Sequence, residues 1–399
     1  MHPGSDMKIL TFMDYYLPGF KAGGPIRTVS MMVSQLPESF KFLIVTRDRD
    51  HTDRRAHPGI RTNEWTDVGR AKVWYLPKRD LSIANLARLA RLVKPDVLYA
   101  NSFFSRITIR LLVARSLGLL GEIPMVLAPR GEFSAGALTI RQGRKKVFLT
   151  LGRSLGLFGN LLWQASSEAE RTDILRALGE RQSVRVSQNI AVAPDIFDHR
   201  VDHPFPTGAP KRGGAARFVF LSRVSPMKNL RTAIELLGTL SGEVSLDIFG
   251  PVDDAKYWRE CQAAAAKVPP NVKVTWRGNV SPTDVTAVIA GFDFFVLPTL
   301  GENFGHVILE SLSAGCPVLL SDRTPWKRLE ADGAGWILPL EQRQRWVEVL
   351  QRCVEMDNPT HQEMRKRARG AAQSYAQRES AIQQNVALFE EAVRRPRLP

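Results

Sequence analysis

Short apolar runs alternate with amphipathic segments along most of the chain, and this alternation predicts an α/β fold. The apolar runs resemble parallel strands that are buried on both faces of a sheet. The amphipathic segments repeat apolar positions every three to four residues, as helices that cover a sheet do. In the first half, strands are predicted at residues 8–13, 40–46, 95–101 and 124–129, and helices at residues 26–35, 81–93 and 107–117.

The alternation is interrupted between residues 193 and 216, where several prolines and Gly213-Gly214 give the composition of a linker. It then restarts, which predicts a second doubly wound parallel sheet. Strands are predicted at residues 217–222, 244–249, 272–276, 292–299 and 318–321, and helices at residues 230–240, 256–267 and 284–290, with one more after residue 303. We therefore expect Rossmann-like domains at residues 7–195 and 217–375, a linker at 196–216, and a helix at 376–399 that completes the first domain.

Composition narrows the class of protein and of partner. The chain has 399 residues, which is too long for one ordinary core, and its 44% hydrophobic and 24% charged residues fit a soluble globular protein. A net charge of +15 and a pI near 10.0 point to an anionic partner, either nucleic acid, an acidic membrane surface or a phosphorylated ligand. Three scattered cysteines show no disulfide or zinc spacing, which favours a reducing cytosol. We expect residues 1–6 to be a start extension, no signal peptide and no membrane span.

The segment GENFGHVILESLSAGCP, residues 301–317, follows a predicted strand at residues 292–299 that is apolar except for Asp293, and it carries two carboxylates. Glu302 is placed on the strand-to-helix loop and Glu310 about two turns along the helix, with Asn303 as a possible N-cap. Gly305 allows close backbone approach. Ligands of open α/β sheets bind at such carboxyl ends of strands, and carboxylates accept hydrogen bonds from sugar hydroxyls. The alternative is two solvated glutamates.

A second loop, after the strand at residues 217–222, carries two cations. Arg223 and Lys228 stand before a helix whose start is marked by Pro226 and Asn229. Two fixed cations and free helix amides can neutralise a diphosphate, and the alternative is a solvated loop with two charges. A third loop, after the first strand, contains Gly23-Gly24. Its bare amides suit an anion, but a tight turn is equally consistent with them.

Other charged segments are less specific. Asp48-Arg49-Asp50, with nearby His51 and His57, resembles a metal motif, but its charge-rich surroundings favour a solvated loop and no metal site. Arg130 follows the strand at residues 124–129 and faces either the cleft between the domains or Glu132. Residues 140–163 form a predicted basic amphipathic helix, which either lies on an anionic membrane or packs on the sheet with a solvated basic face.

In their order along the chain, these motifs resemble the retaining glycosyltransferases of glycosyltransferase family 4, of the bacterial polysaccharide-synthesis type. The resemblance rests on residues 222–230 (SRVSPMKNL), 248–250 (IFG), 276–280 (WRGNV), the E-x7-E pair Glu302 and Glu310, and Gly23-Gly24. It implies the GT-B fold, which is α/β with two doubly wound Rossmann-like domains whose parallel sheets face a central cleft. The first domain would bind the acceptor and the second the nucleotide-sugar.

The resemblance also implies residue roles. Arg223 and Lys228 would hold the nucleotide diphosphate, Glu310 would accept from ribose hydroxyls, and Glu302 from the donor sugar. Gly24, beside Gly23, would let the first loop approach the phosphates. The remaining donor contacts implied are Gly250, Arg277, Asn279, Val280, Asn303, Phe304 and Gly305.

The implied enzyme is a retaining hexosyltransferase that needs no metal or other cofactor and uses a nucleotide diphosphate-sugar as donor substrate. Its acceptor would be a glycan or a polyprenyl-linked glycan, and its location the cytoplasm, with peripheral contact to the inner membrane through residues 140–163. No nucleic-acid partner is expected, because RNA-reading motifs are missing from the sequence. Many relatives carry a histidine after the strand that here precedes Arg130. Arg130 is assigned to the acceptor side, and the alternatives are that it contacts a donor phosphate or that the activity is reduced. An epimerase or phosphorylase of the same fold, and a non-catalytic binding protein, stay as alternatives.

Overall fold

The structure is a computed structural model that describes residues 6–140, 142–190, 210–376 and 380–395. The chain divides into two compact units. The N-terminal unit comprises Met1–Ile190 with Glu379–Pro399, and the C-terminal unit comprises Ala191–Arg378. Most of the predicted linker, and the start extension before Asp6, lie outside the described residues.

The N-terminal unit is built on an eight-stranded sheet in the order β3-β4-β2-β1-β5-β6-β7-β8. Every neighbouring pair is parallel except β3 with β4. The strands are β1 Met7–Phe12, β2 Phe40–Arg47, β3 Trp65–Val68, β4 Ala71–Leu76, β5 Val97–Asn101, β6 Met125–Ala128, β7 Leu161–Ala165 and β8 Ser183–Val186. The helices are α1 Gly24–Gln35, α2 Ile83–Val93, α3 Arg106–Ser116, α4 Ala135–Thr139, α5 Gln142–Ser154 and α6 Glu168–Leu178, with α13 Ser380–Arg394.

Helices cover both faces of this sheet, so two apolar cores form. One core includes Leu10, Leu98 and Trp163, and the other includes Ile9, Ile44 and Tyr99. Neighbouring residues of one strand enter opposite cores because strand side chains alternate between the two faces. Helix α13 contributes Leu388 and Phe389 to the second core.

The predicted helix at residues 140–163 is wrong in its second half. Helix α5 ends at Ser154, and after a turn the chain enters β7, whose five residues are all buried. Phe158 and Trp163 therefore pack inside the unit instead of extending an exposed helix. A strand between two parallel neighbours must be apolar on both faces, which makes it hard to distinguish by pattern from an apolar helix turn.

Three further differences concern the first half of the chain. Strands β3 and β4 were not predicted, although residues 71–76 are largely buried. The charged loop after β2 is not simply solvated, because Asp48 and Asp50 are both buried. Asp50 accepts hydrogen bonds from the backbone amides of Phe20 and Lys21, so this carboxylate fastens the loop after β1.

The C-terminal unit is built on a six-stranded parallel sheet in the order β11-β10-β9-β12-β13-β14. The strands are β9 Ala215–Leu221, β10 Glu243–Phe249, β11 Val272–Gly278, β12 Phe294–Leu297, β13 Val318–Ser321 and β14 Gly335–Leu338. The helices are α7 Leu230–Leu237, α8 Ala255–Ala265, α9 Val285–Ala290, α10 His306–Ser313, α11 Arg343–Glu355 and α12 Asn358–Ala376. Strand β9 begins at Ala215, two residues earlier than predicted.

The strand order reverses between β9 and β12 in the centre of this sheet. From β9 the chain builds outwards through β10 and β11, then returns to the other side of β9 with β12. Loops that follow two such central strands diverge to opposite faces and leave a crevice at the carboxyl edge. The C-terminal unit therefore has its natural ligand site at the ends of β9 and β12.

Candidate functional site

The loops after β9 and β12 are fastened to each other at this reversal point. The backbone amide of Leu300 donates to the carbonyl oxygen of Met227 at 2.8 Å, and the Thr299 hydroxyl donates to the same oxygen at 3.0 Å. The side-chain amide of Asn229 donates to the carbonyl oxygen of Pro298 at 2.9 Å. These bonds fix the relative position of the two loops and of the charged side chains that they carry.

Lys228 and Glu302 form an ion pair across the reversal point. The Lys228 Nζ lies 2.5 Å from Glu302 Oε2, and the two side chains are only 12% and 15% exposed. The second carboxylate oxygen of Glu302 accepts from the backbone amide of Asn303 at 3.1 Å. The structure thus brings together one predicted cation and one predicted acid, in a low-exposure position where their charges are only weakly screened by water.

Helix α10 starts later than predicted, and Asn303 is not its N-cap. The N-cap is Gly305, whose φ of 78° lies in the left-handed region that favours glycine. A Cβ on Gly305 would lie 2.5 Å from Ile308 Cδ1 and 3.1 Å from Glu302 Cγ. The glycine therefore permits the tight entry into α10 that sets Glu302 at its start. Glu310, two turns along, is 4% exposed.

Phe304 is held by an aromatic cluster. Its ring lies 4.5 Å from the His306 ring and 5.8 Å from the Tyr375 ring, centroid to centroid, and its carbonyl oxygen accepts from Trp326 Nε1 at 2.7 Å. The backbone amides of Phe304 and Gly305 donate to no acceptor in the described part of the chain. Two backbone donors are thus free beside Glu302, and their contact with a ligand stays a prediction.

Arg223 is engaged on the other side of β9. Its Nη1 lies 3.0 Å from Asp253 Oδ2, on the loop that follows β10. Gly250, at the end of β10, has a φ of 127°, and a Cβ there would lie 2.1 Å from the carbonyl oxygen of Ser222. Gly250 therefore lets the β9 and β10 loops approach closely. Asp253 was not predicted. Its position on the loop after β10, the strand next to β9, was the sequence signal that could have indicated an acid beside Arg223.

Three of the implied donor contacts, Arg277, Asn279 and Val280, lie at or beside the edge strand β11. Arg277 is on β11 and pairs with Asp247 of β10 at 3.1 Å. Asn279, just beyond the strand, is exposed, and Val280 packs partly against the core. These residues share the carboxyl edge with Gly250, because the amide of Gly250 donates to the carbonyl oxygen of Gly278 at 2.8 Å.

The C-terminal part of the chain matches a known protein family. Residues 206–371 match the family model described as glycosyl transferases group 1. Over these residues the C-terminal unit is similar to the group 1 glycosyl transferases. The predicted family resemblance is therefore confirmed for the part of the chain that carries the two loops and the pair Glu302 and Glu310.

The chain is also similar to a further relative and, in its fold, to solved structures. A phosphatidyl-myo-inositol mannosyltransferase from Mycolicibacterium smegmatis is 27% identical over 183 residues, which is 44% of this chain and 44% of that protein, so the match spans less than half of each. Sucrose-phosphate synthase from Thermosynechococcus elongatus has 15% identity and a TM-score of 0.67, covering 96% of this chain and 98% of that one. HepE from Anabaena, solved with UDP and glucose, has 15% identity and a TM-score of 0.67, covering 96% and 100%. The predicted GT-B fold is confirmed.

The remaining predicted site residues lie in the N-terminal unit. Gly23, with a φ of 71°, is the N-cap of α1, and Gly24 is the first residue of that helix, two residues earlier than predicted. A Cβ on Gly23 would meet no atom within 4 Å. The glycine is thus required by its backbone conformation and not by close packing, and contact of this loop with a donor stays a prediction.

Arg130 does not pair with Glu132. Its Nη1 donates to Asn189 Oδ1 at 2.8 Å, its Nε and Nη2 donate to Asn101 Oδ1 at 3.0 and 2.8 Å, and its Nη2 also donates to the Tyr99 hydroxyl. Arg130 has a φ of 58°, so its backbone is strained as well as its side chain fixed. A guanidinium with this many internal acceptors organises the ends of β5 and β6. A contact with acceptor stays a prediction.

Glu132 instead accepts the backbone amide of Phe104 at 2.8 Å. Burial raises its pKa to about 7, against the lowering effects of that hydrogen bond and of Lys145. Across the described ranges, no group of three or more His, Cys, Asp or Glu side chains is arranged to hold a metal ion. Asp48, one of the predicted motif's acids, is occupied by Arg49 at 2.8 Å.

Proposed function

We propose that this chain is a retaining, metal-independent hexosyltransferase. It transfers a sugar from a nucleotide diphosphate-sugar to a glycan or lipid-linked acceptor in cell-surface polysaccharide synthesis. The single observation that carries the proposal is the Lys228–Glu302 pair at the reversal point of the C-terminal sheet. A cation and an acid are preorganised there, next to free backbone amides.

The chemistry follows from the charges that develop during sugar transfer. A nucleoside diphosphate leaves with growing negative charge, and Lys228 and Arg223 stabilise that charge. The anomeric carbon becomes oxocarbenium-like, and Glu302 and Glu310 accept hydrogen bonds from hydroxyls of the sugar and the ribose. Donor binding requires Lys228 to exchange its bond with Glu302 for one with phosphate, which frees Glu302 for the sugar. Without donor, Glu302 thus binds Lys228 where the phosphate would bind, and Lys228 binds Glu302 where the sugar hydroxyl would bind.

Retention without a protein nucleophile requires attack on the same face as the leaving group. A phosphate oxygen of the donor then takes the proton of the acceptor hydroxyl. In this scheme the protein holds the two substrates and stabilises the diphosphate, and it forms no covalent bond to the sugar. Fixed lysine and arginine side chains supply positive charge that a metal ion supplies in other transferases.

The test is donor turnover with a panel of nucleotide diphosphate-sugars, with and without EDTA. We expect slow hydrolysis of at least one donor, unchanged by EDTA, and an α-linked product from an α-linked donor once an acceptor is supplied. A rate that EDTA abolishes would contradict metal independence, and an inverted product would contradict retention.

Two other functions are separated by the same assay. A phosphorylase requires inorganic phosphate, so transfer in phosphate-free buffer excludes it, and an epimerase returns a changed nucleotide-sugar with no free nucleotide. A non-catalytic binding protein would bind donor without releasing nucleoside diphosphate.

Helix α5 supports peripheral contact with an anionic membrane. Val147, Leu151 and Leu155 recur every four residues and are 60%, 56% and 69% exposed, beside the exposed cations Arg144, Lys146 and Arg153. An exposed apolar stripe with flanking cations suits the interface of an anionic bilayer. The relative from Mycolicibacterium smegmatis is named for a lipid acceptor. No helix among the described residues is long and apolar enough to cross a bilayer.

Vesicle sedimentation tests this contact. We expect binding to vesicles that contain phosphatidylglycerol, weaker binding to neutral phosphatidylcholine vesicles, and loss of binding in Leu151→Glu. The matched control is Leu92→Glu, which changes a leucine of similar exposure on α2. Equal loss in both variants, or equal binding to both kinds of vesicle, would contradict a contact through α5.

A further inference from the structure

A cavity of about 500 Å³ lies wholly within the N-terminal unit and was not predicted. It is lined by residues that follow four parallel strands: Asp14 after β1, Arg47 and Arg49 at the end of β2, Lys78 after β4, and Arg106 after β5. The strand order of this sheet reverses between β1 and β5, so the cavity lies where a ligand site is expected. Its volume suits one sugar with a charged substituent.

The lining has a large excess of positive charge. Arg49 is neutralised by Asp48, and the lining acid Asp53 is neutralised by Lys21 at 2.5 Å. Arg47, Arg54, Lys78 and Arg106 also line the cavity, and among the described residues none of the four forms an ion pair. They face one further carboxylate, Asp14. Four cations against one acid give the cavity a positive potential that attracts an anion.

Two buried polar atoms of the lining have no hydrogen-bond partner in the described chain. Arg47 is held in place, because its Nη1 donates to the Tyr15 hydroxyl at 2.7 Å and its guanidinium carbon lies 5.1 Å from that ring's centroid. Its Nε is buried and has no hydrogen-bond partner in the described chain, and the same is true of Asp14 Oδ1. A fixed guanidinium with an unused donor matches a phosphate or carboxylate oxygen.

Asp14 adds a hydrogen-bond acceptor to the cationic lining. Burial raises its pKa, against the lowering effects of Arg47 and of the backbone amides at the start of α3. Its unpartnered oxygen can accept a hydrogen bond from a ligand hydroxyl. The cavity therefore offers a hydroxyl acceptor on one side and anion-binding donors around it, which is the chemistry of an acidic sugar.

We propose that this cavity binds the acceptor and selects for one that carries a phosphate or a carboxylate group. The assignment of the anion to the acceptor rests on the proposed transferase function, with the donor held by Lys228 and Arg223 in the other unit. The anion-binding property itself rests only on the cavity. A phosphate-bearing and a carboxylate-bearing acceptor share an oxyanion on a sugar, and titration with one probe of each kind distinguishes them.

Binding of small probes to the full chain tests the proposal. Calorimetric titrations compare glucose 6-phosphate, glucuronate and glucose, so that the first two arms distinguish phosphate from carboxylate. We expect at least one acidic probe to bind about tenfold more tightly than glucose. The variant Arg54→Gln/Lys78→Gln/Arg106→Gln changes three exposed side chains and should lose that preference.

Two controls place the binding in the cavity. The variant Arg55→Gln/Arg79→Gln/Arg91→Gln removes the same charge from exposed positions outside the lining, and it should keep the wild-type preference. Lys228→Met should weaken nucleotide-sugar binding and leave the acidic probe bound. Equal affinity for glucose and both acidic probes, or equal losses in the two triple variants, would overturn the proposal.

The outcome also separates this inference from the proposed function. If the wild-type chain binds nucleotide-sugar but shows no preference for acidic probes, the inference fails alone. If it binds an acidic probe through the cavity and no nucleotide-sugar, the anion site stands and the proposed transferase function fails.

Discussion

Replacing Lys228 by methionine removes one charge from the Lys228–Glu302 pair and keeps most of the side-chain volume. The paired atoms are 2.5 Å apart and both side chains are less than one-sixth exposed, so Glu302 would be left with little water to solvate it. Breaking a well-buried pair in this way costs about 3–5 kcal/mol, and we expect about 2–3 kcal/mol here because some exposure remains. Loss of one preorganised charge that stabilises the transition state costs on the order of 10²–10³ in turnover.

The double variant Lys228→Met/Glu302→Gln separates these two effects. It removes both charges, so no unpaired carboxylate is left and most of the lost stability should return. Turnover should stay low, because neither the cation for the diphosphate nor the carboxylate for the sugar is present. The expected pattern is therefore recovery of the free energy of unfolding without recovery of donor hydrolysis.

The assay combines urea unfolding with release of nucleoside diphosphate from the donor. The matched control is Lys256→Met, an exposed lysine on α8 that has no ion pair in the described chain, and it should change neither quantity. Turnover that returns together with stability in the double variant would refute the reasoning, because the pair would then be structural only. So would a Lys228→Met enzyme with the wild-type rate.

Three other expectations concern stability. Gly250→Ala should lower the free energy of unfolding by about 2–4 kcal/mol in urea titrations, because the new Cβ would lie 2.1 Å from the Ser222 carbonyl oxygen at a φ of 127°. The control Gly143→Ala, on α5 with no atom near the new Cβ, should be neutral or stabilising. An equal loss in both variants would contradict the reasoning. Asp293→Ala should lower the free energy of unfolding by about 3 kcal/mol, because buried Asp293 accepts from the guanidinium of Arg217 at 2.7 Å and from the backbone amide of Arg217 at 2.8 Å. In thermal melts the control Asp332→Ala, which breaks a more exposed pair with Arg328, should change the melting temperature little. A near-neutral Asp293→Ala would count against a structural pair. The pKa of Glu132 is raised to about 7 from an ordinary value of 4.5, so between these pH values the native state holds a proton that the unfolded state has lost, and the free energy of unfolding should fall as pH rises from about 4.5 to 7. Glu132→Gln should remove this pH dependence, and an unchanged pH slope in the variant would show that Glu132 does not cause it.

Much of the C-terminal unit could be predicted because its chemistry and its fold use the same local signals. An apolar run, a loop and an amphipathic helix place Lys228 and Glu302 at strand ends, and the parallel sheet brings these ends together. The contact between the two side chains could not be predicted, because it depends on β9 and β12 being neighbours. The Asn303 cap was predicted wrongly, because the left-handed conformation of Gly305 moves the helix start by two residues.

The N-terminal unit was harder to predict for the same physical reason. Arg47, Lys78 and Arg106 are far apart in sequence and each one alone looks like a solvated surface charge. Only the order of β4, β2, β1 and β5 makes them line one cavity. Arg130 was likewise read as free to meet a ligand, whereas three internal partners from Tyr99, Asn101 and Asn189 hold its guanidinium.

The most direct test of the central claim is a calorimetric titration of the wild-type chain and the Lys228→Met/Glu302→Gln variant with a panel of nucleoside diphosphate-sugars. The account predicts that at least one donor binds the wild-type chain and that the double variant, although folded, binds it at least about tenfold more weakly. Equal affinity of the two proteins for every donor, or no binding of any donor to the wild-type chain, would contradict it.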